Sequence, residues 1–250
     1  MCRHLAYLGP PVALRTVLTE PEHSLYRQSW APREQRHGTV NADGFGVGWY
    51  ADRDPVPARY RREGPIWADA SFPDLARVIS TGALLAAVRS ATEGGAAGEN
   101  AAAPFAADRW LFSHNGALTG WPATLEPAAA RLSAAELLSL DARCDSAFVW
   151  ALALHRLRAG EPPGDALAGT IADLAPHDRG RLNLLLTDGA VIAATTWGDT
   201  LYYRHEPGRS VLVVSEPHDD EDTWVRVPDR TLLVATPDEI QLTTLKEPNR

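Results

Sequence analysis

Segments with strand character stand at both ends of this sequence and bracket one helical block, an order that few fold classes accommodate. In the first half, residues 2–9, "GFGVGWYA", "PARYRREGPIW", "GALLAAVRSA" and "RWLFSHNG" read as strands, with "FPDLARVIS" as a short helix among them. After residue 133 the period changes, and "SAAELLSL" leads into "DSAFVWALALHRLRAG" and then "GDALAGTIADLA" as helices. Strands return in "RLNLLLTDGAVIAATTWG", whose two arms flank the hairpin dipeptide Asp188-Gly189, and in "SVLVVSEP", "RTLLVATPD" and "EIQLTTL". Strands, helices and strands in that order predict an α+β layered domain with antiparallel sheets. A doubly wound nucleotide fold would alternate strand and helix, and no G-x-G-x-x-G or Walker sequence lies between a strand and a helix here.

The chain of 250 residues, 45% hydrophobic, is long enough for a full core, and no repeat, long linker or composition shift divides it. A single domain over residues 2–250 is expected. The net charge of −8, with basic residues scattered among acids, argues against a nucleic-acid surface. No run of 18 or more apolar residues and no secretory signal pattern is present, so no membrane partner is expected and the cytoplasm is the expected location. Cys2 and Cys144 are too few for a disulfide framework and lack zinc-ligand spacing, which suits free thiols in a reducing compartment.

Three glycines, Gly44, Gly46 and Gly48, lie in "NADGFGVGWY". A phosphate loop would open a helix, whereas aromatic and β-branched residues follow here. A tight turn and the close approach of another backbone segment explain the glycines better. Ser133 and Glu136 have capping-box spacing, and Asp145 precedes an apolar run starting at Ala147, where it suits a helix cap.

Cys2 follows the initiator methionine directly. Loss of Met1 would give one residue both a thiol and a free α-amine, whose reference pKa of about 7.7–8.0 lets it accept the thiol proton near neutral pH. After attack on a carbonyl, the ammonium can return that proton to a leaving nitrogen. Three further stretches end predicted strands or start helices with matching chemistry. In "FSHNG" the Asn115 side chain and Gly116 backbone N–H suit an oxyanion hole, although Asn-Gly is also a turn dipeptide. In "VRSAT", Arg89 and Thr92 suit a carboxylate clamp, the guanidinium supplying a planar fork. Asp145 suits a substrate ammonium as well as it suits a cap.

These motifs, in this order, resemble the class II glutamine amidotransferases of the N-terminal-nucleophile hydrolases. The resemblance rests on Met1-Cys2, Asp43-Gly44 with Gly46, Arg89-Ser90-Ala91-Thr92, His114-Asn115-Gly116 and Asp145-Ser146, and covers about residues 2–215. It implies a four-layer αββα sandwich with Cys2 on a central strand, and Cys2, Asn115 and Gly116 as catalytic groups. Arg89, Thr92, His114 and Asp145 are then the substrate-binding residues, for the γ-glutamyl part of glutamine or a related amide, with no metal and no cofactor. Many members follow the clamp threonine with His-Gly, whereas here Thr92 leads into Glu93-Gly94-Gly95, so the loop 93–104 is expected to line a different entrance. The motifs look closest to the family's stand-alone γ-glutamyl amidohydrolases. That implies a small-molecule γ-glutamyl substrate cleaved through a thioester, with a trimethylammonium betaine and imidazole sulfoxide on the leaving side and no obligatory synthase domain. The alternatives are a glutaminase subunit that supplies ammonia to a separate synthase, and a binding module that keeps the fold.

Other notable residues have plainer readings. Cys144 reads as a buried small hydrophobe, Trp150 as core, and "HDDED" at 218–222 as a solvated acidic loop and not a metal site. Trp30 and Trp121 sit in predicted loops, where each either packs beneath its loop or offers a π-face to a quaternary ammonium.

Overall fold

The computed structural model describes residues 2–91, 98–178 and 180–246. Its strands in chain order are β1 (Cys2–Ala13), β2 (Phe45–Trp49), β3 (Ala58–Arg62), β4 (Ser80–Arg89), β5 (Phe105–Ala107), β6 (Trp110–Ala117), β7 (Arg181–Thr187), β8 (Ile192–Thr196), β9 (Tyr202–Glu206), β10 (Ser210–Val214), β11 (Val225–Arg226), β12 (Thr231–Ala235) and β13 (Ile240–Thr244). The helices are α1 (Leu14–Leu18), α2 (Leu25–Gln28), α3 (Phe72–Val78), α4 (Glu126–Ala129), α5 (Ala134–Leu138), α6 (Asp145–Arg158) and α7 (Pro163–Leu174). One sheet runs β11-β9-β10-β1-β4-β2-β3 and the other β13-β12-β8-β7-β6-β5, every pairing antiparallel.

Alternation along the strands sorts side chains into three apolar layers, and these make the four-layer αββα sandwich. On β1, Ala6 and Leu8 point between the sheets and meet Leu111, Leu185, Ala194 and Leu233. Leu5 and Tyr7 point outward, under Leu14, Leu18, Leu25 and Phe72 of the first helical layer. On the far side, Phe112, Leu184 and Leu186 face Phe148, Trp150, Leu167 and Ile171 of α6 and α7. Trp150 is core as expected, stacked on Phe112 with ring centroids 5.1 Å apart.

Most predicted elements are present, with differences at their ends. β1 runs past residue 9 to Ala13 through a register shift between Leu8 and Val12, where Pro10 and Pro11 need no ladder donor. The strand read over "PARYRREGPIW" stops at Arg62, and Ile66–Ala68 forms one 3-10 turn after Pro65. The capping box at Ser133 and Glu136 is formed in both directions. Asp145, however, is not the cap: Cys144 holds that position without a side-chain bond, and Asp145 is the first helical residue. The glycine turn does what close approach requires. A Cβ on Gly46 would strike the Ala103 carbonyl oxygen, and one on Gly48 would lie 2.6 Å from Leu111 of the facing sheet.

Two buried histidines set the acid limit of this fold. Burial, and then the neighbouring Arg3 and His114, lowers the His4 pKa from 6.5 to about 3. Burial, and then Arg204, lowers that of His218 to about 4. Below the unfolded value near 6.5 the unfolded chain binds protons that the folded chain refuses, so each histidine removes about 1.4 kcal/mol of stability per pH unit until its folded pKa is reached. The Tm is expected to fall steadily from about pH 6.5 to about pH 4.5 and His218→Gln to flatten the fall; thermal unfolding across that range checks both.

Candidate active site

Cys2 is the first residue of β1 and lies opposite Arg89, the last residue of β4. By the same alternation, Cys2 and His4 project between the sheets, where β6 brings Ser113 and Asn115 to meet them. The His4 ring contacts Ser113 Oγ through Nδ1 at 3.1 Å, and the Cys2 backbone nitrogen donates to Asn115 Oδ1 at 3.1 Å. That bond fixes the amide's orientation, because only the oxygen end can accept. Asn115 Nδ2 is then left buried with no hydrogen-bond partner among the described residues, an unmet donor beside the Cys2 nitrogen. β5 pairs with β6 only over residues 110–112, so beyond Phe112 one edge of β6 has no strand neighbour among the described residues.

Gly116 is required by space. Any Cβ there would fall on the Arg181 carbonyl oxygen of β7, and at 2.5 Å from His114 Nε2. His114 and Gly116 face the helical layer and not Cys2, as the period of two demands. The His114 ring is occupied at both nitrogens: Nε2 donates to the Arg181 carbonyl at 2.9 Å, which leaves Nδ1 to accept from Ser146 Oγ at 3.0 Å. Its side chain ties β6, β7 and α6 together, and any contact to substrate at this position falls to the backbone.

Arg89 is held from the glycine turn. Its Nη1 donates to the Asp43 carbonyl at 3.0 Å, while Asp43 Oδ2 accepts from Ala91 N–H at 2.8 Å. Thr92, the other half of the expected clamp, lies outside the described residues, as do residues 93–97 of the loop expected to form an entrance. Asp145 grips the exit of β6: Oδ2 accepts from Leu118 N–H at 3.0 Å, and Oδ1 from its own neighbour Ser146 N–H at 2.8 Å. Burial raises the Cys144 pKa; Asp145 raises it further and Arg89 acts the other way, so Arg89 lies within electrostatic reach of the start of α6. Cys2, Arg89, Asn115, Gly116 and Asp145 therefore collect at one end of the sandwich.

Three supporting residues carry no usable signal in the sequence. Asp178 accepts from Thr119 N–H, Thr119 Oγ1 and Gly120 N–H, pinning the turn that follows β6. Asn183, the register partner of Asn115, accepts from the Trp197 and Asp199 N–H groups. Glu216, fully buried with Arg3, accepts from the Arg33 and Glu34 N–H groups and so anchors the 29–41 segment. Both candidate aromatics are half-buried and packed within the fold. Trp30 packs edge-on against Tyr26 and Trp67 with Arg27 over its ring, and Trp121 packs against Phe148. The acidic run at 218–222 is partly paired rather than simply solvated: Asp219 bonds Arg204 and Trp224 Nε1, and Asp220 bonds Arg33. No cluster of metal-ligating side chains occurs among the described residues, and no helix there is long and apolar enough to cross a membrane.

A sandwich of this topology, with a cysteine opening its central strand, is the architecture of the N-terminal-nucleophile amidotransferases. The family profile described as "Glutamine amidotransferases class-II" matches residues 18–211, and the chain belongs to that family. It is 42% identical to the gamma-glutamyl-hercynylcysteine sulfoxide hydrolase of Mycolicibacterium smegmatis over 93% of this chain and 95% of the relative. The protein of the same name from Mycobacterium tuberculosis is 40% identical over 98% of this chain and 97% of its own. Among solved structures, a glutamine aminotransferase class-II domain protein from Silicibacter pomeroyi superposes with a TM-score of 0.70 at 26% identity, covering 98% of this chain and all of that one.

Proposed function

We propose that this protein hydrolyses the γ-glutamyl amide of γ-glutamyl-hercynylcysteine sulfoxide, releasing glutamate and hercynylcysteine sulfoxide. The observation that carries the reading is the divided use of the Asn115 amide, whose oxygen accepts from the Cys2 nitrogen while its buried Nδ2 has no partner among the described residues. With Met1 removed, the α-amine takes the Cys2 thiol proton and the sulfur attacks the amide carbonyl carbon. The carbonyl oxygen becomes an anion that accepts from Asn115 Nδ2 and the Gly116 N–H, donors held in place before the charge appears. The ammonium passes its proton to the leaving nitrogen, the C–N bond breaks, and a γ-glutamyl thioester remains. Water then attacks the thioester with the amine again as base, and glutamate leaves as the thiol is restored.

Arg89 is assigned the α-carboxylate of the glutamyl group, together with Thr92, and Asp145 the α-ammonium, through carboxylate lone pairs not spent on Leu118 and Ser146. His114 supports this pocket from behind. The 40–42% identical relatives, matched over nearly their full length, carry the hydrolase name and support the hydrolase reading; action in the cytoplasm without a metal, cofactor, nucleic acid or synthase partner is part of the proposal. The direct test is glutamate release from the conjugate and from free glutamine at equal concentration. A clear preference for glutamine would point instead to an ammonia-supplying subunit.

Arg89 gives a sharper test of the glutamyl pocket. Losing one member of a buried charged hydrogen bond costs about 2–5 kcal/mol. Arg89→Ala is therefore expected to lower kcat/KM well over tenfold, and Arg89→Lys to recover little because a point charge does not replace the fork. A drop of less than threefold in steady-state kinetics would make Arg89 structural only.

A further inference from the structure

The groups around Cys2 account for the glutamyl half of the substrate and none of them for the half that leaves. A cavity of about 390 Å³ is lined by Arg36, Asp199, Thr200, Arg226 and Asp229 among others. Two routes through the structure connect its lining to the surroundings of Cys2. In one sheet, Asn183 lies opposite Asn115 and donates from Nδ2 to the Asp199 and Thr200 carbonyls at 3.0 and 3.2 Å. Adjacent strands lie about 4.8 Å apart, so this segment sits roughly 10 Å from the oxyanion donors. In the other sheet, Thr200 Oγ1 donates to the Ser215 carbonyl at 2.8 Å, and Ser215 N–H donates to the carbonyl of His4, two residues from Cys2.

The lining has an uneven distribution of committed charge. The Asp199 carboxylate, 2% exposed, is held by Arg181 at 3.1 Å, and Asp229 accepts from Gly198 N–H at 2.9 Å while its half-exposed carboxylate lies 3.9 Å from Arg230 Nε. Arg36 and Arg226 are exposed, and neither is paired with a carboxylate among the described residues; Arg226 lies only loosely over the Tyr202 ring at 6.0 Å. Two arginines without a carboxylate partner among the described residues therefore line one cavity in a protein whose net charge is −8, and Asp229 lines it with them. That arrangement suits a zwitterion, since each guanidinium offers a carboxylate a planar pair of donors. The volume lies within the range of about 300–1,000 Å³ usual for small-molecule sites.

We propose that this cavity is the leaving-group subsite, where Arg36 and Arg226 bind a carboxylate of the zwitterionic amine released on hydrolysis and Asp229 faces its quaternary ammonium. The subsite rests on the hydrolase reading and adds to it the basis for preferring a charged conjugate over a simple amide. Its test compares γ-glutamyl-hercynylcysteine sulfoxide with a γ-glutamyl anilide, whose leaving group carries no charge, in wild-type protein and in Arg36→Gln, Arg226→Gln and the double variant. The ratio of kcat/KM for conjugate over anilide is expected to fall at least tenfold in the double variant, mainly through KM for the conjugate. Loss of general stability would lower both rates and leave the ratio in place, and a ratio within twofold of wild type overturns the subsite. Wild-type protein that releases glutamate while the ratio stays fixed removes the subsite alone. Wild-type protein that releases none from either substrate removes the hydrolase reading and the subsite with it.

Discussion

Cys2→Ala is expected to abolish glutamate release while binding of a γ-glutamyl ligand stays within a few-fold of wild type. In the proposed mechanism the Cys2 sulfur is the atom that bonds to the carbonyl carbon, and Cys144, the other thiol, is buried at the start of α6 with its pKa raised by burial. The contacts assigned to the substrate's carboxylate and ammonium belong to Arg89 and Asp145, on other elements, so affinity does not depend on the thiol. Turnover measured by glutamate release, set beside calorimetric binding of glutamate, separates the two effects. Intact mass provides the companion measurement: active protein is expected to begin at Cys2, and fully active protein that retains Met1 would end the amine-as-base mechanism. Unchanged turnover in Cys2→Ala would end the nucleophile assignment as well.

Asn115→Ala is expected to cost about 10²–10³ in kcat, the usual loss for one oxyanion donor. The substitution also frees the Cys2 nitrogen from its acceptor at 3.1 Å, so the proposed base loses its orientation along with the proposed oxyanion donor. Asn115→Asp separates these contributions. It keeps the acceptor toward Cys2 but replaces the Nδ2 donor with a negative oxygen that faces the developing anion, and is expected to be at least as damaging as alanine. A variant Asn115→Ala that keeps more than a third of wild-type kcat would remove Asn115 from the oxyanion hole.

What the sequence made legible follows from the range over which each feature is determined. Apolar periodicity and turn chemistry act within a few residues, so the strands through "GALLAAVRSA" and "RWLFSHNG", the hairpin at Asp188-Gly189 and the capping box at Ser133 correspond to observed elements. The strand β9, "YYRHE", escaped notice because its residues are only partly buried and alternate weakly. The helices α1 and α2, of five and four residues, are too short to show a period. At Asp145, sequence spacing cannot distinguish a cap from the first helical residue; its carboxylate turns to Leu118, 27 positions away. Distance in sequence also hid Glu216, Asn183 and the shared lining of one cavity by Arg36 and Arg226. Each of these depends on which loops the two sheets bring together, and no local pattern records that.

The placement of Cys2 has a consequence for how activity responds to stress. Chain ends ordinarily fray, and a nucleophile on a loose end would have to be ordered anew in each turnover. Here residue 2 is paired to Arg89 along β4 and hydrogen-bonded across the sandwich to Asn115, so folding has already met that ordering cost. The reverse also holds. Cys2 has far fewer anchors than Leu5 or Ala6 further along β1, so the last step of the ladder opens first when the protein is warmed or mildly denatured. Glutamate release should then decline at temperatures where circular dichroism still records an intact sandwich, making the reaction a local probe of a single β-bridge.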